Sequence, residues 1–336
     1  MPGKVFVVAD GTTPAGRTLV RSLLADVLAA GYLAAVPTET VYGLGARADD
    51  PHAIARIYAV KGRPADHPLI AHLASAEALS AWGRDIPAYA LALAQAHWPG
   101  PLTLVVPRTD RAGDFITGGQ DTVAVRVSSH PLMQSVLAAL VAQTGDPAVA
   151  IAAPSANRFG KVSPTSVAHV AQELGAYLTD NDVVLDGGEC AVGVESTIVD
   201  CTQEQPHLLR PGAISVADIE SVTGLPCGGA STVRASGTLA SHYAPHATVL
   251  LVGEDALEPA ADDTHTGLLA TADIATPPGV VRLAAPADAE EYARTLYAAL
   301  READALGLRT VLAVPPDTEG VGMAVIDRLT RAAHHE

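Results

Sequence analysis

A lysine and an arginine stand two positions apart in a chain that contains very little lysine. Lys61 and Arg63 flank a glycine, whereas the whole sequence has only three lysines among its 21 basic residues. A compact ammonium beside a planar guanidinium suits a polyphosphate, because the guanidinium can bind two oxygens at once. A solvated basic turn is the ordinary alternative, and the scarcity of lysine makes it the weaker one in this chain.

A second segment places hydroxyl groups beside two glycines. Residues 36–45, VPTETVYGLG, run from a short apolar stretch through Thr38 and Thr40 into Gly43 and Gly45. Such a turn can bring backbone amides and hydroxyls close to a ligand. An ordinary turn followed by a helix cap explains the same pattern, and the segment alone does not decide between them.

A third segment combines small polar side chains with the start of a helix. Residues 153–165, APSANRFGKVSPT, follow an apolar stretch and precede a predicted helix over 164–174. Hydroxyls, an amide and the free N–H groups of a helix N-terminus together favour an anion. We expect Ser163 to cap this helix, and a capped loop without a ligand is the alternative.

Two further arginines stand where a partner is needed. Arg126 lies between valines in a predicted strand over 122–127, so a side chain that faces inward must be paired. Either a buried ion pair or the carboxylate of a ligand would satisfy it. Arg210 closes the first part of the chain, where it could be a surface residue or could meet a phosphate or a carboxylate.

Composition excludes several classes of protein. The 336 residues carry 21 basic and 37 acidic side chains, a net charge of −16, which argues against a general binder of nucleic acid or of an anionic membrane. The sequence has no P-loop, no dinucleotide fingerprint and no His-Glu-x-x-His motif. Three scattered cysteines fit neither a disulfide scaffold nor a zinc site. With no evident signal peptide or apolar span, we expect a cytoplasmic protein without a membrane segment.

The elements that must position these residues follow from apolar periodicity. The spacing predicts helices over 17–30, 51–60 and 131–143, and strands over 33–36, 102–106, 149–152, 183–185 and 196–199. Beyond a segment rich in Gly, Ser and Thr, it predicts strands at 248–252, 267–270, 280–283 and 310–314, with helices over 288–305 and 321–333. We therefore expect an α/β domain over 1–215, a linker over 216–246 and a smaller α/β domain over 247–336.

Taken together, these segments resemble the YrdC-like family of L-threonylcarbamoyladenylate synthases in its longer, two-domain form. The resemblance extends over nearly the whole chain. The motifs that carry it are PTETVYGLG at 37–45, KGRP and HPL within 61–69, WPGPLT at 98–103, PSAN at 154–157, SPT at 163–165, EST at 195–197, LRPG at 209–212, HYAP at 242–245 and DRL at 327–329.

The resemblance implies the fold and the reaction. The fold would be a YrdC-like twisted open mixed sheet with helices, followed by a Rossmann-like C-terminal α/β domain. The reaction would join L-threonine, bicarbonate and ATP into threonylcarbamoyl-AMP and pyrophosphate. That product serves the threonylcarbamoyladenosine modification at position 37 of tRNA.

The resemblance also implies roles for individual residues. Lys61 and Arg63 would act in catalysis at the phosphates. The residues expected to contact L-threonine are Thr40, His72, Arg126, Ser155 and Ser196, with Thr38 able to share the role of Thr40. The residues expected to contact ATP are Lys61, Arg63, His67, Thr122, Asn157, Thr165, Arg210 and Tyr243, with Ser163 as the alternative to Thr165.

No set of side chains forms an evident metal site, so Mg²⁺ is expected to arrive with ATP. The expected partners are the small-molecule substrates, with the product passed to the machinery that transfers it to tRNA and with no stable binding of nucleic acid. Two other functions were weighed. An RNA-binding module is disfavoured by the net acidic first domain. A carbamoyl-transfer protein of hydrogenase maturation would need zinc-finger and acylphosphatase-like parts that this sequence lacks.

Overall fold

The fold was examined in a computed structural model of the chain. It describes residues 23–229, 231–237, 243–257 and 265–334, together with the backbone of 8–10. The part of the predicted first helix before residue 23 lies outside these ranges, and so does His242 of the HYAP motif.

Residues 8–210 form one large mixed sheet. Its strand order is β1-β8-β2-β3-β7-β4-β6-β5-β9-β10. The strands are β1 (Val8–Asp10), β2 (Ala34–Val36), β3 (Gly43–Arg47), β4 (Ile70–Leu73), β5 (Leu102–Pro107), β6 (Thr122–Arg126), β7 (Ala150–Ala152), β8 (Val183–Asp186), β9 (Thr197–Asp200) and β10 (His207–Arg210). Parallel pairs, such as β4 with β6, alternate with antiparallel pairs, such as β4 with β7.

Helices cover both faces of this sheet. They are α1 (23–29), α2 (Pro51–Lys61), α3 (Leu79–Trp82), α4 (Ala88–His97), α5 (Asp114–Thr117), α6 (Pro131–Thr144), α7 (Val167–Leu174) and α8 (Val216–Thr223). Alternate residues of β2 point to opposite faces. Val36 packs in the core beneath α1 and α6, whereas Ala35 belongs to the core that holds Ile54 and Ile57 of α2.

Helix α2 shows how local sequence positions a functional side chain. Asp50 accepts hydrogen bonds from the amides of His52 and Ala53, and Pro51 occupies the first helical turn, as predicted. The helix ends at Gly62, whose φ of 63° is left-handed and suits a residue without a side chain. Lys61 is therefore the last helical residue, and it is buried.

The second half of the chain forms a smaller parallel sheet, which confirms the expected α/β fold class. Its order is β11-β14-β12-β13, with strands β11 (Thr248–Leu251), β12 (Thr266–Leu269), β13 (Val281–Ala284) and β14 (Thr310–Ala313). Two amphipathic helices, α9 (Ala289–Ala305) and α10 (Gly322–Ala333), pack on it. Each of these elements lies within two residues of its predicted position.

The two sheets share a hydrophobic core. Val41, Val162 and Val194 of the first half pack in one cluster with Leu296 and Tyr297 of α9. Helix α8, which follows the last strand of the first sheet, packs against α4. The chain therefore stays in contact with the first domain up to the end of α8 at Thr223. The boundaries at 215 and 246 stay a prediction.

Two sequence-based expectations were wrong. The pattern Gly43-Leu44-Gly45 was expected to be a turn, but it begins strand β3. A Cβ atom at either glycine would lie 2.9 Å from a carbon atom of Ala153 or Ile151, so both glycines allow close packing next to β7. The cap of α7 is Ser166, whose hydroxyl accepts a hydrogen bond from the amide of His169, and not Ser163.

Candidate active site

A polar cleft opens between the first sheet and the linker. Most of the residues that the sequence singled out line it. They are Thr38, Thr40, Lys61, Arg63, His72, Arg126, Ser155, Asn157, Ser196, Arg210 and Tyr243. Segments from 38 to 243 thus converge on one place.

Lys61 lies at the floor of the cleft. Its ammonium donates hydrogen bonds to the carbonyl oxygens of Ser155, at 2.5 Å, and Asn157, at 2.6 Å. Burial, together with the neighbouring Arg63, holds the pKa of Lys61 well below its usual value. An ammonium has three protons and these carbonyls take two, so the third can reach a ligand in the cleft.

Arg63 and Arg210 are two further buried cations in the cleft wall. The Nη2 atom of Arg63 donates to the carbonyl of Pro68 at 2.8 Å, and its Nε atom is buried with no partner among the described residues. Arg210 donates to the carbonyl and to the hydroxyl of Ser196, each at 3.1 Å. Burial lowers the pKa of Arg63 to about 10 and also lowers the pKa of Arg210.

Lys61, Arg63 and Arg210 have hydroxyl and carbonyl partners but form no ion pair with a carboxylate in the described part of the chain. Burying a charge without a counter-charge is costly unless a ligand supplies one. This side of the cleft is therefore suited to a ligand with several negative charges.

The other side of the cleft is built around Arg126. Its Nη2 atom lies 2.7 Å from Oε1 of Glu39, and its Nη1 atom donates to the hydroxyl of Thr40 at 3.0 Å. Burial alone would raise the pKa of Glu39, but Arg126 and the hydroxyl of Ser128 lower it to about 2. Of the two alternatives for Arg126, the structure contains the buried ion pair, with Thr38 bonded to Thr40 at 2.8 Å beside it.

His72 lies next to Arg126, since the two residues are paired across β4 and β6. Burial and the charge of Arg126 lower the pKa of His72 to about 3, so the imidazole is neutral. Its Nδ1 atom is buried and has no hydrogen-bond partner among the described atoms. A neutral imidazole whose Nδ1 atom has no protein partner can form a hydrogen bond with a charged or an uncharged group of a ligand.

The remaining polar groups complete the walls. The hydroxyl of Ser196 lies 2.8 Å from that of Thr103, and Ser155 presents its carbonyl to Lys61. The Asn157 amide nitrogen donates to the carbonyls of Arg158 and Lys161, both at 2.7 Å, whereas its Oδ1 atom is buried and has no partner in the described ranges. The 153–165 segment is thus held as a loop by its own backbone and by Lys61.

Four of the predicted site residues do not line this cleft: His67, Thr122, Ser163 and Thr165. His67 packs edge-on against Phe159, with the ring centres 5.4 Å apart. Thr122 begins β6. Ser163 donates to Glu195 at 2.6 Å, and Thr165 lies 3.3 Å from His169. Ser163 therefore borders the cleft only through Glu195, which itself lines it.

Several residues of the site were not predicted. Glu39 and Glu195 lie inside quoted motifs, at 37–45 and 195–197, but were not given a role. Ser236 and Gly237 of the linker close the cleft together with Tyr243, whose φ is 62°. Arg328 lies inside the DRL motif, but nothing in the local sequence indicates that it reaches the first domain.

Among the residues that the structure describes, no group of three or more His, Cys, Asp or Glu side chains could hold a metal ion. The cleft carboxylate Glu195 and the nearby Glu39 are both paired with arginines. No helix in the described ranges is long and apolar enough to cross a membrane.

Two family models match the chain. Residues 26–212 match the Sua5–YciO–YrdC model, described as telomere recombination. Residues 214–334 match a model described as the C-terminal domain of threonylcarbamoyl-AMP synthase.

Curated proteins and solved structures are similar over almost the full length. The threonylcarbamoyl-AMP synthase of Pyrococcus abyssi is 40% identical over 93% of both chains, and that of Bacillus subtilis is 38% identical over 92% of this chain and 91% of its own. The crystal structure of Pyrococcus abyssi Sua5 complexed with L-threonine has a TM-score of 0.82 and 37% identity and covers 98% of each chain. Escherichia coli YciO, at 21% identity and a TM-score of 0.50, covers 60% of this chain and 93% of its own and shares the fold.

Proposed function

Because this chain belongs to the Sua5–YciO–YrdC family and carries the C-terminal domain of threonylcarbamoyl-AMP synthases, we infer that it is a threonylcarbamoyl-AMP synthase. The enzyme forms threonylcarbamoyl-AMP and pyrophosphate from L-threonine, bicarbonate and ATP, for the threonylcarbamoyladenosine modification of tRNA. The observation in this chain that carries the inference is the cleft in which three buried cations without carboxylate partners lie close to Arg126 and Thr40.

The nucleotide is assigned to the side of the cleft that holds these cations. Lys61, Arg63 and Arg210 bind the triphosphate, with Asn157 and Tyr243 beside them. The free third proton of Lys61 and the unpartnered Nε of Arg63 are the groups that support this placement. His67, Thr122 and either Ser163 or Thr165 are kept as nucleotide contacts on the family resemblance alone, since none of them lines the cleft.

L-Threonine is assigned to the side of the cleft around Arg126. Arg126 binds the amino-acid carboxylate through the N–H groups that its contacts with Glu39, Thr40 and Gly100 leave over, because a guanidinium has five donors. Thr40, Ser155 and Ser196 offer hydroxyls, and His72 offers a neutral ring nitrogen. A relative from Pyrococcus abyssi has been solved with L-threonine, which supports a threonine site in this fold.

The chemistry needs positioning and charge neutralisation more than it needs a covalent nucleophile. The threonine amine forms a carbamate, either with CO₂, when the nitrogen loses a proton, or with bicarbonate, when a water molecule leaves. A carbamate oxygen then attacks the α-phosphorus of ATP, and the bond to the β-phosphate oxygen breaks as pyrophosphate leaves. Lys61 and Arg63 stabilise the negative charge that develops on the leaving group. Mg²⁺ is carried in by ATP, since the two buried carboxylates at the site are already paired.

The domain division and the cellular context belong to the same proposal. Residues 1–215 are the catalytic domain, 216–246 the linker, and 247–336 a domain that helps to keep water from the adenylate. The product is passed to the tRNA-modifying machinery in the cytoplasm, without stable binding of nucleic acid by this chain.

A pyrophosphate-release assay tests the function. The purified chain is incubated with L-threonine, bicarbonate and ATP, and each substrate is omitted in turn, with L-serine replacing L-threonine as a further arm. We expect pyrophosphate release only when all three substrates are present, and threonylcarbamoyl-AMP as the product by mass spectrometry. Release without threonine or without bicarbonate would contradict the assignment.

A further inference from the structure

A carboxylate lies in the wall of the cleft that is to bind a triphosphate. Glu195 is buried, and it borders the cavity together with Lys61 and Arg210. An isolated negative charge at this position would repel the phosphates and would compete with them for the cations. The structure therefore has to neutralise Glu195 before ATP can bind well.

The neutralising group comes from the C-terminal domain. The Nε atom of Arg328, on α10, donates to Oε2 of Glu195 at 2.9 Å, across 133 residues of sequence. The same oxygen accepts a hydrogen bond from the hydroxyl of Tyr297, on α9, at 2.9 Å, and Oε1 accepts the one from Ser163. Both oxygens of the Glu195 carboxylate thus accept hydrogen bonds. Two of the three donors, Arg328 and Tyr297, belong to the second domain.

Arg328 is itself held rigidly. Its side chain is fully buried, and its Nη2 atom donates to the carbonyl of Pro211 at 3.0 Å. Its guanidinium lies over the ring of Tyr243, 5.3 Å from the ring centre. The residue therefore connects Glu195, Tyr243 of the linker and the chain beside Arg210.

We propose that Arg328 is a positioning residue of the synthase: it pairs with Glu195, while its Nη1 atom also pairs with the neighbouring Asp327, and so it keeps Arg210 and Lys61 available for the phosphates. The proposal rests on the synthase function, because it presupposes that ATP binds in this cleft. It gives the C-terminal domain a stated part in the site, although Arg328 does not itself line the cleft.

The charged and titratable groups that face Glu195 determine how the protonation of this carboxylate responds to the removal of Arg328. They are Arg328, Arg210, Lys61, Tyr243 and Tyr297. Burial alone would raise the pKa of Glu195, and Arg328 and Arg210 together lower it to about 2. Without Arg328, the carboxylate either remains charged and engages Arg210 or takes up a proton at a higher pH than before.

The variant Arg328→Met tests the proposal by calorimetric titration of the full chain with ATP and, separately, with L-threonine. At pH 8 we expect ATP binding to weaken at least tenfold, because the uncompensated carboxylate of Glu195 borders the cavity and repels several phosphate charges. L-Threonine binding should change by less than about twofold, because Arg126 keeps its own partner Glu39. As the pH falls to 6, the ratio of ATP affinities between wild type and variant should shrink, because Glu195 becomes protonated in the variant only.

Three further variants separate positioning from a loss of folding. Arg328→Met/Glu195→Gln removes both charges and should restore ATP affinity to within about threefold of wild type. Arg328→Lys keeps the charge and should restore it in part. Arg294→Met, at an exposed position of α9, removes a positive charge from the same domain without touching the Glu195–Arg328 pair, and it should leave ATP affinity unchanged.

The outcomes distinguish this inference from the function. If Arg328→Met binds both ligands as wild type does, or loses both equally, or if the double variant is no better than the single one, the positioning role is wrong. If the wild-type chain itself fails to bind ATP, the proposed function fails as well.

Discussion

Arg63 and Arg210 donate hydrogen bonds to the same residue of the linker. The guanidinium of Arg63 reaches the hydroxyl of Ser236 at 3.3 Å, and that of Arg210 reaches its carbonyl at 2.9 Å. These two cations stand 147 positions apart in the sequence, yet one serine holds both of them at the cleft. The polar atoms of Ser236 thus occupy places where the oxygens of an anion would fit.

The first prediction concerns Arg63. Arg63→Met should raise the KM for ATP by about ten- to a hundredfold, because a buried charge-assisted contact to phosphate contributes about 1.5–3 kcal/mol. The KM for L-threonine should change little. Initial rates of pyrophosphate release at varied ATP measure the effect.

Arg234→Met is the matched control for Arg63. Arg234 lies two residues before Ser236, its side chain is half exposed, and its nearest carboxylate is 3.8 Å away. If this variant raises the KM for ATP as much as Arg63→Met does, a general loss of positive charge explains the result and the specific role of Arg63 is refuted.

The second prediction concerns the proton on Lys61. Burial holds its pKa low, and a bound polyphosphate stabilises the charged form, so ATP binding should take up a proton wherever the pH lies above the pKa of the free enzyme. Affinity for ATP should then fall as the pH rises above the pKa of the free enzyme. Calorimetric titrations in buffers of different ionisation enthalpy measure the number of protons taken up.

Lys61→Met provides the reference for that measurement, because the nucleotide's own protonation is the same in both proteins. We expect the variant to show less proton uptake by up to one proton and to lose most product formation. Equal uptake in the two proteins would mean that Lys61 does not change its protonation on binding.

The third prediction concerns acid stability and the pair Glu39–Arg126. The pKa of Glu39 is about 2 in the folded protein against a usual 4.5, so the folded state favours the ionised carboxylate. Its contribution is present above about pH 4.5 and is lost as the pH falls toward 2, and it amounts to about 3 kcal/mol.

Glu39→Gln should therefore lower the thermal midpoint at pH 7, and the difference from wild type should shrink as the pH falls through this range. Scanning calorimetry at a series of pH values measures both midpoints. A difference that stays constant down to pH 3 would show that packing, and not charge, is what the substitution removes.

The fourth prediction concerns the packing of β3. A Cβ atom at Gly45 would lie 2.9 Å from Ile151 and 3.1 Å from the carbonyl oxygen of Ala34, so Gly45→Ala should destabilise the protein by about 1–3 kcal/mol. Gly228→Ala is the control, because no atom lies within 4 Å of its added methyl group and its φ is not left-handed. Urea unfolding compares the two, and equal midpoints would contradict the close-packing account.

Elements with a clear apolar period were predictable from the sequence, and others were not. Helix α9 places Tyr292, Leu296 and Leu300 on one buried face, and its limits were predicted to within a residue. Helix α4, with the sequence AYALALAQAH, was missed because alanine and leucine lie on all its sides, and Leu91 is half exposed. Periodicity carries no signal where polar residues do not alternate with apolar ones.

The residues of the site also divide into those that the sequence predicts and those that it does not. The positions of Lys61, Arg63 and Arg210 could be predicted because cations are rare in this chain and stand in local motifs. The partners of Glu195 could not, since the contact with Arg328 joins residues 133 positions apart and depends on how two domains dock. Local sequence identifies which side chains matter, whereas tertiary packing decides which of them neutralise each other.

The shared core of the two halves limits how freely they can be exchanged. Val41, Val162 and Val194 precede the second sheet by more than 50 residues, yet they pack among the residues of α9 and α10. A chimera that joins the catalytic domain of this chain to the C-terminal domain of a relative would bring together two apolar surfaces whose side chains are not complementary in shape. Exchange of the C-terminal part between relatives would therefore have to preserve those three valines together with the helices that cover them.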